Sequence, residues 1–197
     1  MTAPDPQRPG GLFNVPNSLT TLRLGLAFVL FGLIGIRQWL PALAVFAVAA
    51  FTDWLDGHLA RRMSLQSRLG RVYDPLVDKI LILGAFAFLM HARDTGILGD
   101  AGWTPWMFVV LLAREFLVTG IRGLLEERGL SFGADRWGKA KMVVQCLAIA
   151  WLLALFFRAA AATAYERQLR DLLNWATVAL TAFSGLHYIF LARKHLA

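Results

Sequence analysis

Six long apolar stretches, separated by short breaks that are polar or contain Pro or Gly, occupy most of this chain of 197 residues. A helix needs about 20 residues to cross the roughly 30 Å of hydrocarbon in a bilayer, so six crossings use about 120 residues. The remainder is too short for a separate soluble domain. The pattern therefore predicts an all-α polytopic membrane protein, a bundle of six transmembrane helices over residues 18–36, 40–62, 74–91, 105–126, 138–157 and 171–191.

The composition agrees with a membrane chain and excludes several other classes of protein. Apolar residues (AVILMFWYC) make up 57% of the chain and charged residues 17%, against about 45–50% and about 25% in soluble proteins. These values exclude a disordered chain, a collagen-like fibre and a nucleic-acid-binding tail. In so apolar a chain, the net charge of +7 indicates cationic loops beside anionic lipid, so no nucleic-acid partner is expected.

The first 16 residues differ from the rest because they hold four prolines and no apolar run. We expect residues 1–16 to form a tail and residues 17–197 to form a single membrane-embedded domain. Ten Arg and Lys residues lie in the tail, the even-numbered loops and the C-terminal end, and five lie in the odd-numbered loops. Because positive charge marks the cytoplasmic side, both termini are expected there. Six spans with short loops suit a bacterial inner membrane.

Four aspartates lie in or beside the second and third apolar stretches, namely Asp53, Asp56, Asp74 and Asp78. A charge near the centre of a membrane helix costs about 2.5–3.5 kcal/mol, so something must offset this set. Helical geometry places the first two on one face of their helix and the last two on one face of the next. The turn between the helices is short, so the helices are antiparallel neighbours and the four carboxylates can converge.

Converging carboxylates favour a hard divalent cation, because without one they would repel one another. Mg²⁺ or Mn²⁺ suits an all-oxygen site, and Mg²⁺ usually binds carboxylates together with substrate phosphates. Gly57, Ala60 and Gly70 lie on the same faces and would let a substrate group come close. Arg61 could meet a phosphate or hold an aspartate. These residues predict a phosphate-bearing substrate at the cytoplasmic interface.

Two other interpretations of the aspartates stay open. Each could pair with a nearby base, Arg61, Arg71 or Lys79, and only stabilise helix packing. Alternatively, the cluster could be the ion site of a divalent-cation channel or transporter. The outer halves of the second and third stretches are apolar, which favours a pocket with one mouth over a conduction path.

The same residues form a motif with fixed spacing: Asp53-x2-Asp56-Gly57-x2-Ala60-Arg61-x8-Gly70-x3-Asp74-x3-Asp78. This motif resembles that of the CDP-alcohol phosphatidyltransferases at every defined position. The resemblance implies a six-helix membrane fold and transfer of a phosphatidyl group from CDP-diacylglycerol to an alcohol, with release of CMP. Membrane prenyltransferases also use Asp-rich motifs with Mg²⁺, but they resemble a longer bundle with other Asp spacings.

The resemblance also implies roles for the motif residues. The first three aspartates would bind divalent metal, with two ions expected, and the diphosphate. Asp78 would be the base that deprotonates the acceptor hydroxyl, and it could also touch metal. The CDP-diacylglycerol site would comprise Asp56, Gly57, Ala60, Arg61 and Gly70.

Three further segments resemble the subgroup of this family that uses glycerol 3-phosphate and makes phosphatidylglycerophosphate. They are residues 14–23, residues 74–79, and a set comprising Arg114, Glu115, Arg122, residues 137–141 and Gln145. An inositol phosphate, serine or phosphatidylglycerol acceptor is the alternative within the family.

Cationic residues support an anionic acceptor independently. Arg114 and Arg122 lie in the fourth stretch, and Lys139 and Lys141 open the fifth. A dianionic phosphate beside an Asp-rich site needs a cationic pocket of its own, which these four residues can supply. Alternatively, Glu115 could pair with Arg122, and the two lysines could be charges that flank a membrane span.

Two further questions stay open from the residues alone. Arg23 is either an anchor at the end of the first helix or part of the site. A homodimer is a further expectation, but the Gly-containing faces at Gly32–Gly35 and Gly120–Gly123 are weak interface candidates, because packing within one chain would use them as well.

Overall fold

The structure, a computed structural model, describes the backbone of residues 15–63, 68–92, 100–127, 129, 136–158 and 163–196. Side chains are described over the same ranges apart from residues 15–19, 53–63, 68–72, 74 and 194–196. Within this part of the chain every regular element is an α-helix and none is a strand. The six helices are α1 Val15–Gly35, α2 Trp39–Met63, α3 Arg68–His91, α4 Pro105–Glu127, α5 Arg136–Phe157 and α6 Ala164–Leu196.

Each apolar stretch coincides with one helix, so the all-α prediction is confirmed. Two helices begin well before their apolar stretches, α3 at Arg68 and α6 at Ala164. A local capping motif explains the start of α6. Thr163 Oγ1 accepts the N–H of Glu166 at 3.2 Å, and Glu166 Oε2 accepts the N–H of Thr163 at 2.8 Å. Such a capping box begins a helix in polar sequence, where hydropathy gives no signal.

Two helices in the described residues are long and apolar enough to cross a membrane. They are α5 and the Ala164–Arg193 part of α6. Thr20–Gly35 and Trp39–Thr52 are shorter apolar helical segments. The structure therefore supports membrane character at the level of these helices, and the six-span arrangement stays a prediction.

The exterior and interior of the bundle are arranged as in a protein that contacts lipid. Large apolar side chains lie exposed on several helices, among them Phe28, Trp106, Phe116 and Leu186. Polar and charged side chains are buried between the helices, among them Arg23, Glu115, Lys141, Gln145, Asn174 and Thr181. An extended apolar surface around a core that also buries polar and charged side chains is typical of membrane-associated helices.

Helix packing leaves α3 between α1 and α4. α1 packs on α2 and α3, α6 packs on α4 and α5, and α2 contacts α5. A glycine lets α1 and α3 approach, because a Cβ at Gly84 would overlap the Phe31 ring. The Phe31 ring stacks on Phe88 with centroids 5.1 Å apart. Close approach at a small residue is a common way for membrane helices to pack.

At the end of the bundle opposite Asp78, the connection between α3 and α4 is attached to α6. Arg170 Nη1 donates to the backbone oxygen of Asp100 at 2.8 Å. Asn174 Nδ2 donates to the backbone oxygen of Ala101 at 3.0 Å. These bonds hold α4 beside α6, which matters for the site because the two helices supply facing polar groups.

Candidate functional site

The predicted metal and nucleotide residues lie at the end of α2 and the start of α3. The side chains of Asp53, Asp56, Gly57, Ala60, Arg61, Gly70 and Asp74 lie outside the described residues. Among the side chains that are described, no group of three or more His, Cys, Asp or Glu residues could hold a metal ion. The predicted metal site and the predicted CDP-diacylglycerol site therefore remain predictions.

The predicted tail and domain division also remain predictions. Residues 1–14 lie outside the described residues, and α1 already begins at Val15.

Asp78 is the one motif aspartate whose side chain the structure describes, and it contacts α1. Arg23 Nη1 donates to Asp78 Oδ1 at 2.6 Å. The Arg23 side chain is 2% exposed and that of Asp78 is 29% exposed. Charged hydrogen bonds of this length are among the stronger ones in proteins. The structure thus places Arg23 at the candidate site. The sequence alone did not distinguish this role from that of an anchor at the end of the helix.

A second group of charged side chains lies between α3, α4, α5 and α6, and we call it the Glu115 cluster. It comprises Glu115 and four cations, Lys79, Arg114, Arg122 and Lys141. Glu115 Oε1 accepts from Lys141 Nζ and from Arg114 Nη1, the latter at 3.2 Å. Lys79 interacts electrostatically with Glu115, Arg122, Arg114 and the adjacent Asp78, and Lys141 interacts with Lys79.

Arg114 reaches the centre of the Glu115 cluster through a gap left by α6. Its Nε donates to Ser184 Oγ at 3.2 Å. A Cβ at Gly185 would lie 2.9 Å from Arg114 Cγ, and one at Gly138 would lie 3.8 Å from an Arg114 Nη atom. The glycine on α6 therefore lets the long side chain lie flat between the helices.

Arg122 lies on the same face of α4 as Glu115 but meets a different partner. Its guanidinium carbon is 6.0 Å from the centroid of the Tyr188 ring, which is in cation–π range. Glu115 pairs with Arg114 and Lys141, so the alternative of a Glu115–Arg122 pair is wrong. Over the described ranges Arg122 has no carboxylate in salt-bridge contact.

The four predicted acceptor residues are therefore only partly brought together. Arg114 and Lys141 share Glu115, and Arg122 lies one helical turn beyond Thr119 on the same face of α4. Lys139 is exposed on α5, whereas Lys141 is 7% exposed. Residues two apart on a helix point about 200° apart, so only one of the two lysines can face the interior.

The residue pattern alone assigns no role in the Glu115 cluster to Lys79, Ser184 or Gly185. Lys79 was one base that could pair with an aspartate, but its described hydrogen bond goes to Thr119 Oγ1 of α4. A signal for Lys79 was present, since it closes the segment 74–79. No local signal points to Gly185, because its role depends on where Arg114 lies in space.

The Glu115 cluster carries a net charge of +3, with four cations and one carboxylate. Cations away from bulk water are unfavourable unless an opposite charge compensates them. Arg and Lys side chains that converge in this way are well suited to a phosphate, which accepts several charged hydrogen bonds. The cluster can therefore bind an anion close to the Asp78 carboxylate.

Comparison with known proteins gives a consistent result over most of the chain. A model of the CDP-alcohol phosphatidyltransferase family matches residues 13–183. A CDP-diacylglycerol–glycerol-3-phosphate 3-phosphatidyltransferase of Bacillus subtilis (strain 168) is 31% identical over 193 residues, covering 90% of this chain and 94% of the relative. The protein of the same name from Escherichia coli (strain K12) is 35% identical over 172 residues, covering 78% of this chain and 91% of the relative.

The family match and the similarity over most of the chain agree with the motif in α2 and α3 that first indicated this chemistry. The expected enzyme class is confirmed. The chain belongs to the CDP-alcohol phosphatidyltransferase family, and it is a membrane-associated transferase of phospholipid biosynthesis.

Proposed function

We propose that the protein transfers the phosphatidyl group of CDP-diacylglycerol to glycerol 3-phosphate, giving phosphatidylglycerophosphate and CMP. The observation that carries this proposal is the similarity of the chain to two relatives over more than 90% of their length. Both relatives are named for this activity. The Glu115 cluster supports it further, because an acceptor that carries a phosphate needs cations near the base.

The residues of this chain fit the divalent metal that the family implies. Four carboxylates at the end of α2 and the start of α3, Asp53, Asp56, Asp74 and Asp78, form the oxygen-only donor set that Mg²⁺ or Mn²⁺ prefers. We propose that they hold two ions. Bound there, the ions would offset the charge of the diphosphate and of the departing CMP.

Asp78 acts as the general base in the proposed reaction. The acceptor hydroxyl gives its proton to the Asp78 carboxylate, and its oxygen forms a bond to the phosphorus of the phosphatidyl group. The bond from that phosphorus to the CMP oxygen breaks, and CMP leaves with the electron pair. A carboxylate within hydrogen-bond reach of the hydroxyl suits this role, and Arg23 fixes its position.

Binding residues complete the proposed site. Asp56, Gly57, Ala60, Arg61 and Gly70 surround the CDP-diacylglycerol nucleotide. Arg114 and Lys141, joined by Glu115, receive the acceptor phosphate, and Arg122 extends the same positive surface. Lys139, on the exposed side of α5, supplies long-range attraction for an anionic substrate.

We also propose how the chain lies in the membrane. All six helices span the bacterial inner membrane, with both termini and the active site on the cytoplasmic side, and residues 17–197 form one embedded domain. The substrates are then a lipid of the bilayer and a soluble cytoplasmic phosphate ester. A homodimer is part of this proposal.

The test is CMP release by the purified protein in detergent with CDP-diacylglycerol. Glycerol 3-phosphate, inositol 1-phosphate, serine and phosphatidylglycerol are compared as acceptors, each with Mg²⁺, with Mn²⁺ or with EDTA. We expect release with glycerol 3-phosphate only, and none with EDTA. Release with another acceptor alone would keep the enzyme class and overturn the acceptor. Metal-independent release would overturn the metal site.

A further inference from the structure

Lys79 directly follows the proposed base in α3, but its side chain contacts a different helix. Asp78 meets Arg23 of α1, whereas Lys79 Nζ donates to Thr119 Oγ1 of α4. Thr119 Oγ1 in turn donates to the backbone oxygen of Glu115 at 2.7 Å. The threonine hydroxyl is therefore fixed by its own helix, and it directs the ammonium group of Lys79 towards the Glu115 cluster.

Within the described part of the chain, no carboxylate forms a salt bridge with Lys79. Its hydrogen-bond partner is a neutral hydroxyl, and Glu115 Oε1 already accepts from Lys141 and Arg114. Glu115 and Asp78 are the negative charges near Lys79, and Arg122 and Arg114 add positive charge there. An ammonium group has three donors, and Thr119 uses one of them. Lys79 thus has donors and unbalanced charge for an anionic ligand.

We propose that Lys79 binds the phosphate of the acceptor, together with Arg114 and Lys141. This inference rests on the proposed function and adds a residue that selects a phosphorylated alcohol. Because Asp78 and Lys79 are adjacent in the chain, one small molecule can place its hydroxyl at the base and its phosphate at the ammonium group. A dianionic phosphate would reduce the charge of the Glu115 cluster from +3 to +1.

The diphosphate of CDP-diacylglycerol offers the same chemistry as the acceptor phosphate. The acceptor is favoured because Lys79 is directed towards α4, whereas the CDP-diacylglycerol residues proposed above lie on α2 and the start of α3. The experiment separates the two sources by measuring each substrate independently.

The experiment combines binding and turnover for four proteins: wild type, Lys79→Met, Lys79→Arg and Arg193→Met. Lys79→Met removes the charge at similar length, and Arg193→Met is a matched control at an exposed cation of α6. Calorimetry measures glycerol 3-phosphate binding without CDP-diacylglycerol, and CMP release gives KM for each substrate. Losing one charged hydrogen bond should weaken glycerol 3-phosphate binding about 10- to 100-fold. Lys79→Arg should restore most of this affinity, and the KM for CDP-diacylglycerol should stay unchanged.

Each outcome separates this inference from the proposed function. Suppose that Lys79→Met binds glycerol 3-phosphate as tightly as wild type does, and that wild type turns over normally. This result would overturn the proposed role of Lys79 and leave the proposed function intact. A raised KM for CDP-diacylglycerol with unchanged glycerol 3-phosphate binding would assign Lys79 to the diphosphate, and it would also overturn the proposed role of Lys79 in acceptor binding. If wild type binds glycerol 3-phosphate in a Lys79-dependent way but releases no CMP, the proposed function fails and Lys79 stands.

A folding defect in Lys79→Met would be visible as a changed elution profile and thermal transition. The same measurements are then made on Lys79→Gln, because the glutamine amide has no charge but can still donate a hydrogen bond to Thr119. Weak binding in a folded Lys79→Gln protein supports the proposal, and wild-type binding overturns it.

Discussion

The two charged contacts on either side of α3 differ in their balance of charge. Arg23 and Asp78 form an ion pair with one charge of each sign, 2.6 Å apart, and we call it the balanced pair. The Glu115 cluster instead sets four cations around one carboxylate. An ion pair of opposite charges can hold a side chain in place, whereas a cluster with excess positive charge in an apolar setting is stabilised when an anion binds. The count of opposite charges therefore distinguishes a positioning contact from a binding contact.

The largest expected effect is at the balanced pair, where Asp78→Asn should remove the proposed base. Loss of a general base lowers turnover by about 10²- to 10⁴-fold. CDP-diacylglycerol binding, measured by equilibrium binding in detergent, should remain near wild type. If CDP-diacylglycerol binding is lost as well, Asp78 is primarily a metal ligand, and the division between base and binding residues is wrong.

Substitutions in the Glu115 cluster should instead change the affinity for glycerol 3-phosphate. Lys141→Met should raise the KM for glycerol 3-phosphate about 10- to 100-fold, because one charged hydrogen bond is lost. The KM for CDP-diacylglycerol should not change. Lys139→Met is the matched comparison two residues earlier, and as an exposed charge it should change the KM at most about fivefold. Equal effects of both substitutions would contradict the placement of Lys141 inside and Lys139 outside the pocket.

Arg23→Gln tests whether the balanced pair acts only by positioning. We expect kcat to fall about 10-fold because Asp78 loses its fixed orientation, with the KM for glycerol 3-phosphate unchanged. Arg23→Lys should recover part of kcat. A rise in the KM for glycerol 3-phosphate with normal kcat would place Arg23 in the acceptor pocket and remove the contrast between the two regions.

The smallest effect on turnover is expected at two glycines that make room for neighbours of different kinds. Gly185→Ala places a Cβ 2.9 Å from Arg114 Cγ, so it should raise the KM for glycerol 3-phosphate by about threefold, a shift of less than 1.4 kcal/mol.

Gly84→Ala, which clashes with Phe31 in the apolar packing, should lower stability by about 1–3 kcal/mol and leave both KM values unchanged. Thermal unfolding and steady-state kinetics separate the two; a KM change in Gly84→Ala would show that α1–α3 packing controls the site.

Much of the fold could be predicted because long apolar stretches of this kind favour one type of element, the α-helix. Each apolar stretch became a helix, since the backbone must satisfy its hydrogen bonds within the segment. The early start of α6 could not be read from hydropathy, because it depends on the hydrogen bonds between Thr163 and Glu166. Side-chain partners were harder still. Glu115 was considered with Arg122 from spacing along one helix, but its partners are Arg114 and Lys141, the second of which comes from α5.

The sequence by itself determined the helices, the Asp motif and the enzyme family, because these depend on local composition and on fixed spacing along the chain. Only the tertiary structure decided which cations share one cluster. It brought Lys79 of α3 to Thr119 of α4, turned Lys141 inwards and Lys139 outwards, and placed Arg23 on Asp78. The physical reason is that the sign and balance of charge at a point depend on how separate helices pack, and spacing within one helix does not encode that packing.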